Sequence, residues 1–123
     1  FSTPKTYLYE PNAAVMKSGA FKLISEKFKL NKLDQHTHLY TSDDKIAKFP
    51  GKVYEISNSY LYQKKPLKKA IGGLKANVKT RNFSEKTETL KTHFKLTDGG
   101  DLYLFFTTSN DKKIVVEGRL NTF

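Results

Sequence analysis

Asp98-Gly99-Gly100-Asp101-Leu102-Tyr103-Leu104-Phe105-Phe106-Thr107-Thr108-Ser109-Asn110-Asp111 is the stretch on which the fold assignment turns. The apolar run from Leu102 to Phe106 lies between two clusters of Asp, Gly, Ser and Asn, the composition of a buried strand bounded by tight turns. Thr87 to Leu96 precedes it and Lys113 to Gly118 follows it. The three segments predict an antiparallel meander with Leu102–Thr108 as its central strand. A strand apolar on both faces needs cover on both, and the N-terminal helix packed across the sheet is expected to supply it.

Working upstream, Pro66 opens a segment in which Leu67, Ile71, Leu74 and Val78 fall on one helical stripe, although each of Gly72 and Gly73 costs about 1 kcal/mol relative to alanine. Val53 to Tyr62, rich in β-branched and aromatic residues, reads as a long strand. Pro50-Gly51 breaks the chain before it, Ser42-Asp43-Asp44 is placed to cap a short helical turn reaching Phe49, and His36 to Tyr40 reads as a strand. Thr6-Tyr7-Leu8-Tyr9 is a further short strand, stopped by Glu10-Pro11. From there Ala13, Met16, Ala20, Ile24 and Phe28 recur at three- and four-residue steps, predicting a helix from Pro11 to Lys32. Gly19 weakens that helix, and the alternation in Phe21-Lys22-Leu23 and Phe28-Lys29-Leu30 leaves a hairpin as the competing reading. The expectation is one α+β domain over residues 1–123, an N-terminal helix on an antiparallel sheet ending in a three-strand meander.

Composition narrows the chemistry. In 123 residues, 37% are hydrophobic and 13% aromatic, enough for a core without disulfide or metal staples. Lysine and arginine number 22 against 12 acidic residues, a net charge of +10, so the surface attracts anions. Arg81 and Arg119 are the two arginines, and without more of them bidentate reading of bases has little support. Cysteine is absent, which excludes zinc ribbons, CxxC redox motifs, cysteine proteases and disulfide scaffolds, and leaves the compartment undetermined with secretion open. No apolar run is long enough to span a bilayer and no signal peptide is visible. The sequence starts at Phe1 and its one methionine is Met16, so a processed chain or a domain excised from a longer one is expected.

Tyr62 to Arg81 carries Lys64, Lys65, Lys68, Lys69, Lys75, Lys79 and Arg81 with no acidic residue. On the predicted helix Lys68, Lys75 and Lys79 form a ridge, with Lys68 and Lys75 about 10 Å apart, able to track successive phosphates. A solvated, soluble helix face is the plain alternative. In the predicted strand Leu90–Leu96, alternation sets Leu90, Phe94 and Leu96 on one face and Lys91, His93 and Lys95 on the other. An imidazole between two ammonium groups stays neutral near neutral pH, which suits a general base or a partner for an anion. His36, His38 and Tyr40 share a face of their strand. A metal centre is not expected from HxH with one further histidine and no closing motif. No cofactor is expected either, since the phosphate-loop, GxGxxG, HExxH, GxSxG and EF-hand frames are all missing. Asp43-Asp44 and Asp98/Asp101 sit in turns, where aspartate serves the backbone.

Two functions fit. The first is a basic RNA-directed domain working as a metal-independent ribonuclease, similar in size and charge to small toxin nucleases. His93 with Lys91 and Lys95 would hold the scissile phosphate, His36 or His38 would be the second proton-transfer group, Glu55 an alternative base, and Tyr62–Arg81 would grip flanking phosphates. The second is a non-catalytic module for an anionic partner: nucleic acid, acidic glycan, membrane surface, or an acidic protein or inhibitor. Tyr7, Tyr9, Tyr60 and Tyr62 would be its stacking residues.

Overall fold

The computed structural model describes residues 2–19 and 21–121, and for Phe21 and Lys22 the backbone alone. The chain runs β1 (Tyr7–Pro11), α1 (Ala13–Ser18), α2 (Phe21–Phe28), β2 (Asn31–Asp34), β3 (Thr37–Ser42), β4 (Gly51–Leu61), α3 (Lys64–Ile71), β5 (Asn77–Arg81), α4 (Thr87–Phe94), β6 (Leu102–Ser109) and β7 (Lys112–Leu120). The fold is mixed α+β. Seven strands form one sheet in the order β2-β3-β1-β4-β7-β6-β5, antiparallel except where β5 runs parallel to β6.

Several predicted elements are corrected. The meander holds two strands, β6 and β7, because Thr87–Phe94 is helical, with Leu90 and Phe94 buried one turn apart. The neighbour on the other side of β6 is β5, drawn from the segment expected to continue a helix. That helix, α3, stops at Ile71, and Gly73 takes φ +79, a left-handed conformation that costs glycine nothing. The helix predicted over 11–32 is two short helices, α1 and α2, with strand residues at either end. Pro11 ends β1, pairing with Gly51, and Gly19 at φ +69 terminates α1. Lys29 at φ +53 follows α2, and the chain enters β2 at Asn31. Of the predicted apolar stripe, Ala20 lies outside the described residues, as do the side chains of Phe21 and Lys22 in the competing hairpin. Of the segment Ser42–Phe49, Ser42 ends β3 and the rest forms bends and turns instead of a helix, with Ser42 Oγ accepting from the Asp44 amide at 3.0 Å.

The sheet coils until its two halves face each other. Leu8, Leu33, Leu39 and Tyr54 of the first half pack inside against Phe105, Ile114 and Val116 of the second. Outside the second half, α3 and α4 bring Leu67, Ile71, Leu90 and Phe94 onto Leu104, Phe106 and Val115. Outside the first half, Ile24, Leu30 and Phe49 cover Tyr9, Tyr40 and Val53. So β6 is covered on both faces as its composition demands, but by α3 and α4 on one side and the opposite half of the sheet on the other; the N-terminal helices lie elsewhere. A polar seam joins the approaching ends. The Asn110 amide donates to the Leu33 carbonyl at 3.1 Å, the Asp111 amide to Asp34 Oδ2 at 2.8 Å, and Thr37 Oγ1 to the Thr108 carbonyl at 2.8 Å.

Candidate nucleic-acid interface

Helix α3 buries Leu67 and Ile71, and the 3.6-residue repeat then turns Lys64, Lys65, Lys68 and Lys69 to solvent. None of these four joins an ion pair among the described residues. Like charges at i,i+4 repel by a few tenths of a kcal/mol, a cost removed when an anion binds. The rest of the predicted cationic segment goes elsewhere. Lys75 is exposed in the loop between α3 and β5, while Lys79 and Arg81 alternate on β5 and turn into the concavity of the sheet. The ridge of Lys68, Lys75 and Lys79 therefore does not exist, because Gly72-Gly73 ends the helix that would have aligned them.

Lys79 and Arg81 meet Glu10, a residue the sequence reading passed over. Glu10 is 8% exposed; Lys79 Nζ lies 3.0 Å from its Oε1, and the Arg81 guanidinium bonds its Oε2 through Nη2. Tyr54 donates its hydroxyl to the same Oε1 at 3.0 Å. Burial, then Glu10, drive the Tyr54 hydroxyl well above its ordinary pKa, so it stays a donor. The Lys79 ammonium also sits 5.7–5.9 Å from the ring centres of Tyr103, Phe105 and Tyr54. Aromatic faces and a carboxylate together replace the water that a half-buried cation loses.

The histidines part company. His93 is on α4, not on a strand between two lysines: Lys91 pairs with Glu88 and Asp98, and Lys95 caps the helix in a left-handed conformation. His93 lines a shallow depression with Glu88, Thr89 and Thr92, its Nε2 buried without a hydrogen-bond partner. His36 is exposed in the turn before β3. His38, on β3, lines a different cavity of about 350 Å³ together with Pro11, Met16, Lys17, Glu10 and Arg81. Burial first, then Lys32 and His36, hold the His38 imidazole below its ordinary pKa. Glu55 is exposed on β4. The tyrosines are tied into the fold. Tyr9 donates to the Asp44 carbonyl, Tyr60 to Glu117 and Tyr62 to Glu85, and burial pushes Tyr62 and Tyr40 up to about 12.

With this geometry in place, sequence comparison finds two family models that meet between Pro50 and Gly51. Residues 7–50 match a ferredoxin-like domain and residues 51–119 match a model described as THUMP domain-like. The chain belongs to the THUMP domain-like family. Its fold is shared with a solved structure from Porphyromonas gingivalis W83 described as a "putative methyltransferase", at TM-score 0.90 and 32% identity, over 99% of this chain and 31% of that one. The large ribosomal subunit protein uL29m of Vanderwaltozyma polyspora is 32% identical over 82 residues, 60% of this chain and 25% of that protein. The THUMP-like segment thus holds α3 and all seven cationic residues singled out from Tyr62–Arg81, whereas Glu10 and His38 come from the ferredoxin-like segment. The chain spans less than a third of the length of both longer proteins.

Proposed function

We propose that this chain is an RNA-binding module whose contact with the phosphate backbone is the exposed face of α3. The observation that carries the reading is the set of four acid-free, unpaired lysines on one short helix of the THUMP-like segment. Family membership supports it, as does a relative that is by name a protein of the ribosome, an RNA-built particle. Lysine ammonium groups bind phosphates as point charges, so the affinity is steep in salt and tolerant of sequence. Scarcity of arginine agrees with that tolerance. In this reading the module holds RNA and performs no chemistry on it. Cleavage is no part of the proposal, because His93 and His38 line separate depressions and leave no acid–base pair facing one phosphate.

The experiment is a salt series of RNA binding by fluorescence anisotropy, comparing the parent chain with a Lys64→Glu/Lys65→Glu/Lys68→Glu/Lys69→Glu variant. Each lysine–phosphate contact contributes about 0.7 to the slope of log affinity against log salt for a single strand, so losing four lowers that slope by about 3. An unchanged slope in the variant overturns the assignment.

A further inference from the structure

The cavity bearing His38 is lined from β1, α1, β3 and β5, so both family segments contribute to it, and no residue of α3 is in its lining. Its volume of about 350 Å³ is at the lower end of the range for small-molecule sites, roughly 300–1,000 Å³. One wall is apolar, made by Pro11 and by Met16, a large hydrophobic left 37% exposed. The same lining also carries cations. Lys17 is exposed and joins no ion pair among the described residues, and the Arg81 side chain is 39% exposed. Arg81 spends Nη2 on Glu10 and Nη1 on the Thr80 carbonyl, which leaves the remaining N–H donors of its guanidinium for a ligand. Two cations, Lys17 and Arg81, line the cavity against one carboxylate, Glu10, whose charge is also shared with Lys79 outside the lining, an excess of positive charge that favours an anion.

We propose that this cavity binds a nucleoside phosphomonoester, with the phosphate between Lys17 and Arg81 and the base against Met16 and Pro11. A polarisable thioether and an apolar proline ring suit a base face, and a guanidinium together with an ammonium suits a doubly charged phosphate. His38 lines the same cavity, and burial first holds its imidazole below its ordinary pKa, so near neutral pH it adds no further charge. Glu10, itself part of the lining, pairs with the guanidinium and so holds it in place before a ligand arrives. The ligand is a free mononucleotide or the phosphorylated end of an RNA, which share this chemistry.

Titration of the isotope-labelled chain with adenosine 5′-monophosphate, followed by NMR, tests it. The expected shifts cluster on Ala13, Met16, Lys17, His38 and Arg81, and Lys17→Glu or Arg81→Gln weakens binding at least tenfold with the rest of the spectrum unchanged. The α3 variant keeps full mononucleotide binding, so failure of the pocket and failure of the RNA surface are read separately. An oligonucleotide whose terminal phosphate is needed to shift the same residues assigns the ligand to an RNA end. Shifts from the mononucleotide but from no oligonucleotide assign it to a free nucleotide, and either result sustains the pocket. Shifts confined to α3, no shifts, or equal affinity for adenosine or for inorganic phosphate overturns it.

Discussion

Glu10 holds three side chains, Tyr54, Lys79 and Arg81, on one carboxylate. It neutralises one of two neighbouring cations and accepts from Tyr54, linking β1 to β5 across 71 positions of sequence. Removing the carboxylate of a buried ion cluster costs about 3–5 kcal/mol, and the partial exposure of Arg81 puts Glu10→Gln near the lower figure. Urea unfolding of that variant is expected to show the loss, and adding Lys79→Met, which removes the stranded charge, to recover part of it. His38 gives a second expectation at this scale. Its pKa is lowered by folding, so the unfolded chain binds the extra proton more readily. The stability it contributes is complete above the unfolded value of about 6.5 and drains away as pH falls through the lowered folded value. Midpoints measured down the acid side fall less steeply for His38→Gln. Glu10 left a trace in the sequence: strand alternation sets it on the same face as buried Leu8. Nothing local said which cations would meet it there.

Spacing explains what was legible among the elements. Leu90 and Phe94 are four apart, a step that satisfies both two strand repeats and one helical turn, so that pair alone cannot separate the two. Thr92 decides it, because a strand would set this exposed polar residue among the apolar ones. For α3 the stripe Leu67, Ile71, Leu74, Val78 is sound for its first turn, then two glycines release the chain into β5. The long strand β4 and the β6–β7 hairpin were plain, since their runs are flanked by strong turn residues. Helix α4 closes on Lys95 at φ +55, where a side chain with a Cβ is strained by about 1–2 kcal/mol. Lys95→Gly is expected to raise the thermal midpoint, corresponding to about 1 kcal/mol; a lower midpoint would mean that the lysine side chain itself supports the cap.

At the scale of the whole molecule, the coil of the sheet was hidden. Every contact that closes it joins residues far apart in sequence, Thr37 with Thr108 and Asp34 with Asp111 among them, and no periodicity reports on such pairs. The α3 lysines could be read in advance because a charge run needs no tertiary information; the cavity beside His38 could not, because its walls come from both segments. Gly51 tests how firmly those segments are joined. A Cβ there would run into the Glu10 carbonyl, a backbone atom held in the β1–β4 ladder. Gly51→Ala is therefore expected to cost about 3 kcal/mol or more, with hydrogen exchange quickening first along β1 and β4.

That ladder, from Tyr7 opposite Glu55 to Pro11 opposite Gly51, also sets how the polypeptide can be divided. A cut after Pro50 falls at the end of that ladder, where the Pro50 carbonyl accepts from the Asn12 amide and the Gly51 amide donates to the Phe49 carbonyl, and it parts two pieces whose inner surfaces are each other's lining. Neither half alone is expected to hold its shape, and the two, mixed as separate chains, should find one another and restore the intact body, which makes this a natural candidate for a split reporter.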